Sequence, residues 1–263
     1  MVHPAGPVEF RETGTGATVV LAPGSCSTGV AWRSVIAQLG DVRAITTSLS
    51  GYGGTAERRT AEDHSIIPVA QALEQVIAQA GGPVHLVGHS FGGLTALAVA
   101  LRGQVDLLSL TIFEAPAPAV LDQPRDAPHL AAFRAMTSAY VAAHKAGDTE
   151  AIGSMIDFYG GAGSWAAMPA AVRDYAAATT PVNVLDWEGA YQFAPNEELA
   201  RLGDLRTCIA VGELSHPAVI RANAVIAERI ASATFEVIAG AAHFMIATHP
   251  EAVSAIIKRQ VAG

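Results

Sequence analysis

The chain has 263 residues, a formal net charge of −8, 51% apolar residues and 15% charged residues. This composition excludes an intrinsically disordered protein and predicts a compact globular one with a sizeable core. The acidic charge argues against a nucleic-acid partner, because a phosphate backbone attracts basic surfaces. No apolar stretch has the length that a membrane span requires, so we expect no membrane insertion.

The cysteines and histidines give no sign of a metal site. Cys26 and Cys208 are the two cysteines, and neither belongs to a metal-type or C-x-x-C spacing. The histidines do not cluster with acidic residues at ligand spacing, so we expect no metal and no cofactor. Residues 1–6 lack the features of a secretion signal, which favours a cytoplasmic location. The sequence gives no indication of the oligomeric state.

Short strands alternate with helices along most of the chain. The predicted strands cover residues 8–11, 18–21, 42–46, 84–87, 108–113, 207–211 and 234–238. Apolar residues at helical spacing predict helices over residues 66–80, 94–102, 219–230 and 250–261. This alternation is typical of a mostly parallel sheet with helices on both faces, an α/β fold.

The middle of the chain departs from the alternation. Residues 117–200 are rich in alanine and contain no convincing strand, and four helices are predicted there, over residues 130–146, 149–159, 166–178 and 182–193. We interpret this block as an inserted helical cap. Residues 1–116 and 201–263 would then form the α/β core.

The pentapeptide Gly-His-Ser-Phe-Gly at positions 88–92 lies between a predicted strand and a predicted helix. A serine at the apex of such a tight turn is pushed out of the sheet, and backbone N–H groups of the new helix face whatever the serine attacks. We therefore interpret Ser90 as a catalytic nucleophile.

A serine nucleophile needs a base, and in this arrangement the base is a histidine late in the chain. His243 follows the last predicted strand, which places it at the carboxyl edge of the sheet, where ligands bind in open α/β sheets. His249 is the alternative, although it suits a cap of the final helix better.

The nucleophile also needs an oxyanion hole, which consists of two donors aimed at the developing negative charge. The backbone N–H of Phe91, the residue after the nucleophile, is one expected donor. The other is expected from the loop after strand 18–21, where Gly24 allows a turn and Ser25 supplies the N–H.

A third residue, an acid that orients the histidine, completes the catalytic triad. In this chain the acid is missing from its common position. The common position is a G-x-x-D after strand 207–211, but Ser215 stands where that aspartate would be. Two glutamates compete for the role. Glu114 follows strand 108–113 directly and is our choice; Glu213 is the alternative, although its side chain should face the opposite way from that of residue 215.

These segments resemble the α/β-hydrolase superfamily over nearly the whole chain. The matching pieces are the Pro-Gly-Ser loop at 23–25 with Trp32 downstream, the Leu-Ser-Gly-Tyr-Gly loop at 49–53, the elbow at 85–93, and the C-terminal histidine segments at 242–243 and 248–251. Haloalkane dehalogenase-like and epoxide hydrolase-like branches carry their acid after the strand that corresponds to 108–113, as Glu114 would be. Those branches use an aspartate nucleophile, so Ser90 disfavours their activities.

The resemblance implies a cap-containing, cofactor-free serine hydrolase that acts on an ester, thioester or lactone of a small apolar molecule. Two alternatives stay open. The same triad serves carbon–carbon cleavage, acyl transfer or cofactor-free oxygenation on this fold, because a fold does not fix its chemistry. The chain could also be a binding or signalling protein with residual hydrolase activity.

Overall fold

The computed structural model describes residues 6–60 and 62–263. Residues 1–5, on which the prediction about a secretion signal rests, lie outside the described residues, as does Ala61. No helix of the described part is both long and apolar enough to cross a lipid bilayer.

The described chain forms a seven-stranded sheet in the order β1-β3-β2-β4-β5-β6-β7. Strand β1 pairs antiparallel with β3, and all other neighbours are parallel. The strands are β1 Arg11–Thr13, β2 Ala17–Ala22, β3 Val42–Thr46, β4 Val84–His89, β5 Leu107–Phe113, β6 Thr207–Gly212 and β7 Ala233–Ile238. The parallel strands place their carboxyl ends, and the loops that follow them, along one edge of the sheet.

Helices follow or precede nearly every strand in the described residues. They are α1 Arg33–Leu39, α2 Ile67–Ala80, α3 Phe91–Arg102, α4 Ala127–Lys145, α5 Ile152–Gly160, α6 Ser164–Ala167, α7 Ala170–Ala178, α8 Thr180–Gln192, α9 Pro217–Arg229, α10 Met245–Thr248 and α11 Pro250–Ala262. Short 3₁₀ turns at Gly29–Trp32, Pro118–Val120, Pro124–Asp126 and Glu198–Leu202 link them.

The core lies on both faces of the sheet, because neighbouring strand residues point to opposite sides. Val20 and Leu86 belong to a buried cluster that also contains apolar residues of α2, α3 and α9. Val19 and Val87, one position away, belong to a second cluster with residues of α1 and α11. The central strands are therefore covered on both faces, which agrees with their continuous apolar runs.

Helices α4 to α8 lie between β5 and β6, within the segment that the sequence predicts as a cap. The predicted helix over residues 166–178 is two helices, α6 and α7, because Pro169 precedes α7 and cannot continue a helix from α6. The division into an α/β core and an inserted cap over residues 117–200 stays a prediction.

The structure differs from the sequence prediction at two places in the N-terminal part. The first strand covers Arg11–Thr13 and not residues 8–11, because its position is set by pairing with β3, Arg11 opposite Thr46. Helix α1 was not predicted. Its buried residues are Val35 and Leu39, four positions apart, a pattern too short to be distinguished from a loop.

Candidate active site

The strand-to-helix turn places Ser90 in a strained conformation. Strand β4 ends at His89, α3 begins at Phe91, and Ser90 between them has φ 53° and ψ −129°. A Cβ at Gly88 would lie 2.3 Å from the carbonyl oxygen of Gly92, so the turn closes only with glycine at position 88. Non-glycine residues adopt such angles rarely, and they concentrate at functional sites.

Glu114 follows β5 directly and is completely buried. Its backbone also has a positive φ of 53°. Its Oε2 lies 2.7 Å from Nδ1 of His243. Its Oε1 accepts a hydrogen bond from the Gly212 N–H at 2.6 Å and a second, short one from the Ser215 hydroxyl. Three donors thus point at one carboxylate.

The backbone after Glu114 is held by Asn223 of α9, a residue that the sequence analysis missed. The Asn223 side chain accepts from the Ala115 N–H at 2.9 Å and donates to the Ala115 carbonyl at 3.0 Å. Asn223 is fully buried. No sequence spacing indicates this contact, because it joins residues 108 positions apart.

His243 lies between aromatic rings, with Nδ1 turned toward Glu114. The ring of Tyr159 is 4.2 Å from it and the ring of His89 is 4.8 Å away, centroid to centroid. Because a carboxylate oxygen accepts at Nδ1, this nitrogen carries the proton in the neutral ring and Nε2 is left with a lone pair. His243 is therefore oriented as a base.

His89 contacts His243 through a hydrogen bond to its backbone. Its Nε2 donates to the backbone carbonyl of His243 at 2.8 Å. Burial, together with the nearby His243, lowers the pKa of His89 to about 3, so this ring is neutral at physiological pH.

The other candidates lie elsewhere. Glu213 accepts a hydrogen bond from the Gly240 N–H at 2.8 Å, through an exposed side chain that makes no hydrogen bond with His243. His249 has its Nδ1 2.8 Å from the Thr248 hydroxyl. Of the two glutamates, the structure brings Glu114 to His243.

The loop after β2 borders Ser90. A Cβ at Gly24 would lie 2.9 Å from Cβ of Ser90 and 3.5 Å from its Oγ, so this loop passes directly beside the serine. Ser25 follows Gly24, and Phe91 opens α3, where the first N–H groups of a helix have no intrahelical acceptor. Both expected oxyanion donors belong to segments that touch Ser90.

A cavity of about 860 Å³ lies between the sheet edge and helices α5 to α8, and Ser25, Ser90, Phe91 and His243 all line it. Most of the remaining lining is apolar, with Ile156, Met155, Trp187, Val172 and Phe244 among it. No lysine or arginine lines the cavity in the described part of the chain. The Ser90 hydroxyl has no hydrogen-bond partner among the described residues. Hydrogen bonds between a nucleophile and its base are often long in the absence of substrate and shorten when substrate binds.

No cluster of three or more histidine, cysteine or acidic side chains in the described residues has the geometry to hold a metal ion.

The family model described as "Alpha/beta hydrolase family" matches residues 19–256. The chain belongs to the α/β hydrolase family. No curated protein sequence matches it significantly.

Solved structures share the fold at low sequence identity. A thermophilic esterase from Thermogutta terrifontis is 22% identical, with a TM-score of 0.76 over 97% of this chain and 93% of the other. An esterase from Exiguobacterium antarcticum is 20% identical, with a TM-score of 0.72 over 97% and 96%. A haloalkane dehalogenase loop variant from Bradyrhizobium elkanii is 18% identical, with a TM-score of 0.71 over 97% and 92%. These likenesses concern the fold, which hosts more than one reaction.

Proposed function

We propose that the protein is a cofactor-free serine hydrolase that cleaves a carboxylic ester, thioester or lactone of a small, neutral, largely apolar molecule. The single observation that carries the proposal is the buried contact of 2.7 Å between Glu114 and His243, beside the cavity that Ser90 also lines. An oriented histidine that lines the same cavity as a serine at a strand-to-helix turn supports serine acyl transfer.

In the proposed reaction, Oγ of Ser90 attacks the carbonyl carbon and His243 Nε2 takes its proton. The carbonyl oxygen becomes an oxyanion, which the backbone N–H groups of Ser25 and Phe91 stabilise. The tetrahedral intermediate collapses when the alkoxide or thiolate leaves and receives the proton from His243. A water molecule, deprotonated by His243, then attacks the acyl-Ser90 ester. The second tetrahedral intermediate collapses, the acid is released, and Ser90 recovers its proton from His243.

The cavity supports the choice of substrate. It has the volume typical of small-molecule sites, and its largely apolar walls suit a largely apolar substrate. Because no cation lines it, a substrate with a free carboxylate or phosphate would lose hydration without a counter-charge. Neutral esters, thioesters and lactones of small, largely apolar molecules are the class that fits.

The test is a panel of p-nitrophenyl esters, acyl thioesters and lactones, assayed with the wild-type protein and with Ser90→Ala. We expect turnover of at least one class and a loss of at least about 10³-fold in Ser90→Ala. Equal turnover by both proteins, or none by the wild type across the panel, would contradict the proposal.

A further inference from the structure

Asp186 of α8 is a buried carboxylate that the reaction above does not use. It is 2% exposed. Its Oδ2 accepts from the Ser25 hydroxyl at 2.5 Å and from the Tyr52 hydroxyl at 2.6 Å, and its Oδ1 accepts from Arg59 Nη1 at 2.7 Å. The carboxylate therefore joins a cap helix to the loop beside Ser90.

Asp186 has a counter-charge within this cluster, Arg59, which it shares with Glu57. Arg59 is nearly fully buried and is also held by Glu57, whose two carboxylate oxygens accept from its guanidinium at 2.9 and 2.6 Å. Burial raises the pKa of the Asp186 carboxyl, and Arg59 and the two hydroxyl donors oppose that shift. A buried pair of this kind is costly to break, so the cluster fixes a single arrangement of its parts.

The loop that Asp186 contacts is strained. Cys26, next to Ser25, has φ 55°, a left-handed conformation that non-glycine residues rarely adopt. Strained backbone of this kind persists only where its surroundings enforce it. The hydrogen bond from Ser25 to Asp186 is a direct restraint on this loop, and it comes from the cap rather than from the sheet.

We propose that Asp186 is a positioning residue which holds the Ser25 backbone N–H in place, so that the oxyanion hole is complete only while α8 is seated on the loop. The inference rests on the proposed hydrolase function. It makes the cap a part of the catalytic machinery as well as a wall of the cavity.

Ser25→Ala tests this coupling most cleanly, because it removes the hydroxyl and leaves the backbone N–H intact. Removal of a whole oxyanion donor costs on the order of 10²–10³-fold in kcat, so a misplaced one should cost about 10- to 100-fold with KM changed less than about threefold. Ser25→Thr, which keeps a hydroxyl, should recover most of kcat. Ser154→Ala, at an exposed serine of α5 that neither lines the cavity nor contacts this cluster, is the matched control and should retain kcat.

The affinity of a transition-state analogue distinguishes a positioning role of the Ser25–Asp186 hydrogen bond from a merely structural one. A trifluoromethyl ketone forms a charged tetrahedral adduct, and its affinity should fall in Ser25→Ala by a factor similar to that of kcat. Asp186→Asn should show the same loss, and the double variant should be no worse than Asp186→Asn alone. Wild-type kcat in Ser25→Ala, or an unchanged inhibitor affinity, would overturn the proposal. An inactive wild type would instead refute the hydrolase function itself.

A different observation concerns Asn183, three residues before Asp186 on the same face of α8. Asn183 is 2% exposed and lines the cavity, and its Oδ1 is buried without a hydrogen-bond partner among the described residues. Buried amides are nearly always paired, because an unpaired one loses the hydrogen bonds it makes in water. The described residues provide no donor for it.

We infer that Asn183 is a specificity residue that pairs with a second neutral polar group of the substrate, such as an amide or a hydroxyl, apart from the scissile ester. This deepens the proposed function, on which it rests. The cavity lining favours a neutral group, since it contains no cation and the Asp186 carboxylate already pairs with Arg59.

The test compares p-nitrophenyl esters of acids in isosteric pairs, in which one acid contains an amide and the other an alkyl group of the same shape. The shortest pair is N-acetylglycine and 4-methylpentanoic acid, and two longer pairs are built in the same way. In Asn183→Leu, kcat/KM for at least one amide ester should fall about tenfold or more, while its alkyl isostere changes less than about threefold. Parallel changes within every pair would overturn the inference. Activity of the wild type on the alkyl esters, absent in Ser90→Ala, tests the hydrolase function separately.

Discussion

The carboxylate of Glu114 meets Nδ1 of His243 at 2.7 Å, although the two residues are 129 positions apart and the carboxylate comes from β5 rather than from β6. The position after β6 that an aspartate commonly holds is Ser215, and its hydroxyl donates to the same glutamate. In the proposed mechanism, the acid therefore comes from the end of β5, one strand before the usual position, and the Ser215 hydroxyl donates a hydrogen bond to it.

Replacement of Glu114 by glutamine should lower kcat/KM by about 10²- to 10⁴-fold, because glutamine offers one acceptor where three donors now converge and leaves the His243 tautomer unfixed. Hydrolysis of a short p-nitrophenyl ester measures the effect. Glu213→Gln is the matched control and should stay within about threefold of the wild type. Full activity in Glu114→Gln would show that the acid is elsewhere.

An aspartate introduced after β6, at position 215, should partly replace Glu114. In Glu114→Ala/Ser215→Asp, the new carboxylate extends from the position of the Ser215 hydroxyl into the space that Glu114 vacates, toward His243. We expect the double variant to be at least about tenfold more active than Glu114→Ala. The single variant Ser215→Asp should be less stable than the wild type, because it places two buried carboxylates side by side. No recovery in a folded double variant would argue that the backbone at 215 cannot present an acid.

His89 should make folding sensitive to acid. Its pKa is lowered from 6.5 to about 3 in the folded protein, so below pH 6.5 the unfolded chain binds a proton that the folded chain does not. The contribution to stability is complete above pH 6.5 and is lost as the pH falls, by up to about 1.4 kcal/mol per pH unit. Denaturant unfolding from pH 7 to 4.5 should therefore be less pH-dependent in His89→Gln, whose side chain does not titrate. Identical slopes for the two proteins would contradict this account.

The elements next to the nucleophile were predictable because local pattern decides them. The apolar run of β4, the glycines of the elbow and the helical spacing of α3 each indicate the observed structure within about three residues of its bounds. The predicted position of β1 is wrong because its three residues are all exposed. No apolar alternation marks them, and only pairing with β3 defines the strand.

The site was predictable in part. Ser90, His243 and the Ser25 loop follow from motif and chain order, and Glu114 could be named as a candidate because it follows a strand directly. Asp186 could not be predicted, because its partners Ser25, Tyr52 and Arg59 lie 127 to 161 positions away. Their meeting depends on how α8 packs over the sheet edge, which no spacing in the sequence encodes.

The central claim is that Ser90 is an activated nucleophile, and covalent labelling tests it most directly. The protein is incubated with a fluorophosphonate probe, and the modified peptide is identified by mass spectrometry. We predict stoichiometric labelling on Ser90, abolished in Ser90→Ala and slowed at least about tenfold in Glu114→Gln. An unlabelled wild type, or a label on a residue other than Ser90, would contradict the account.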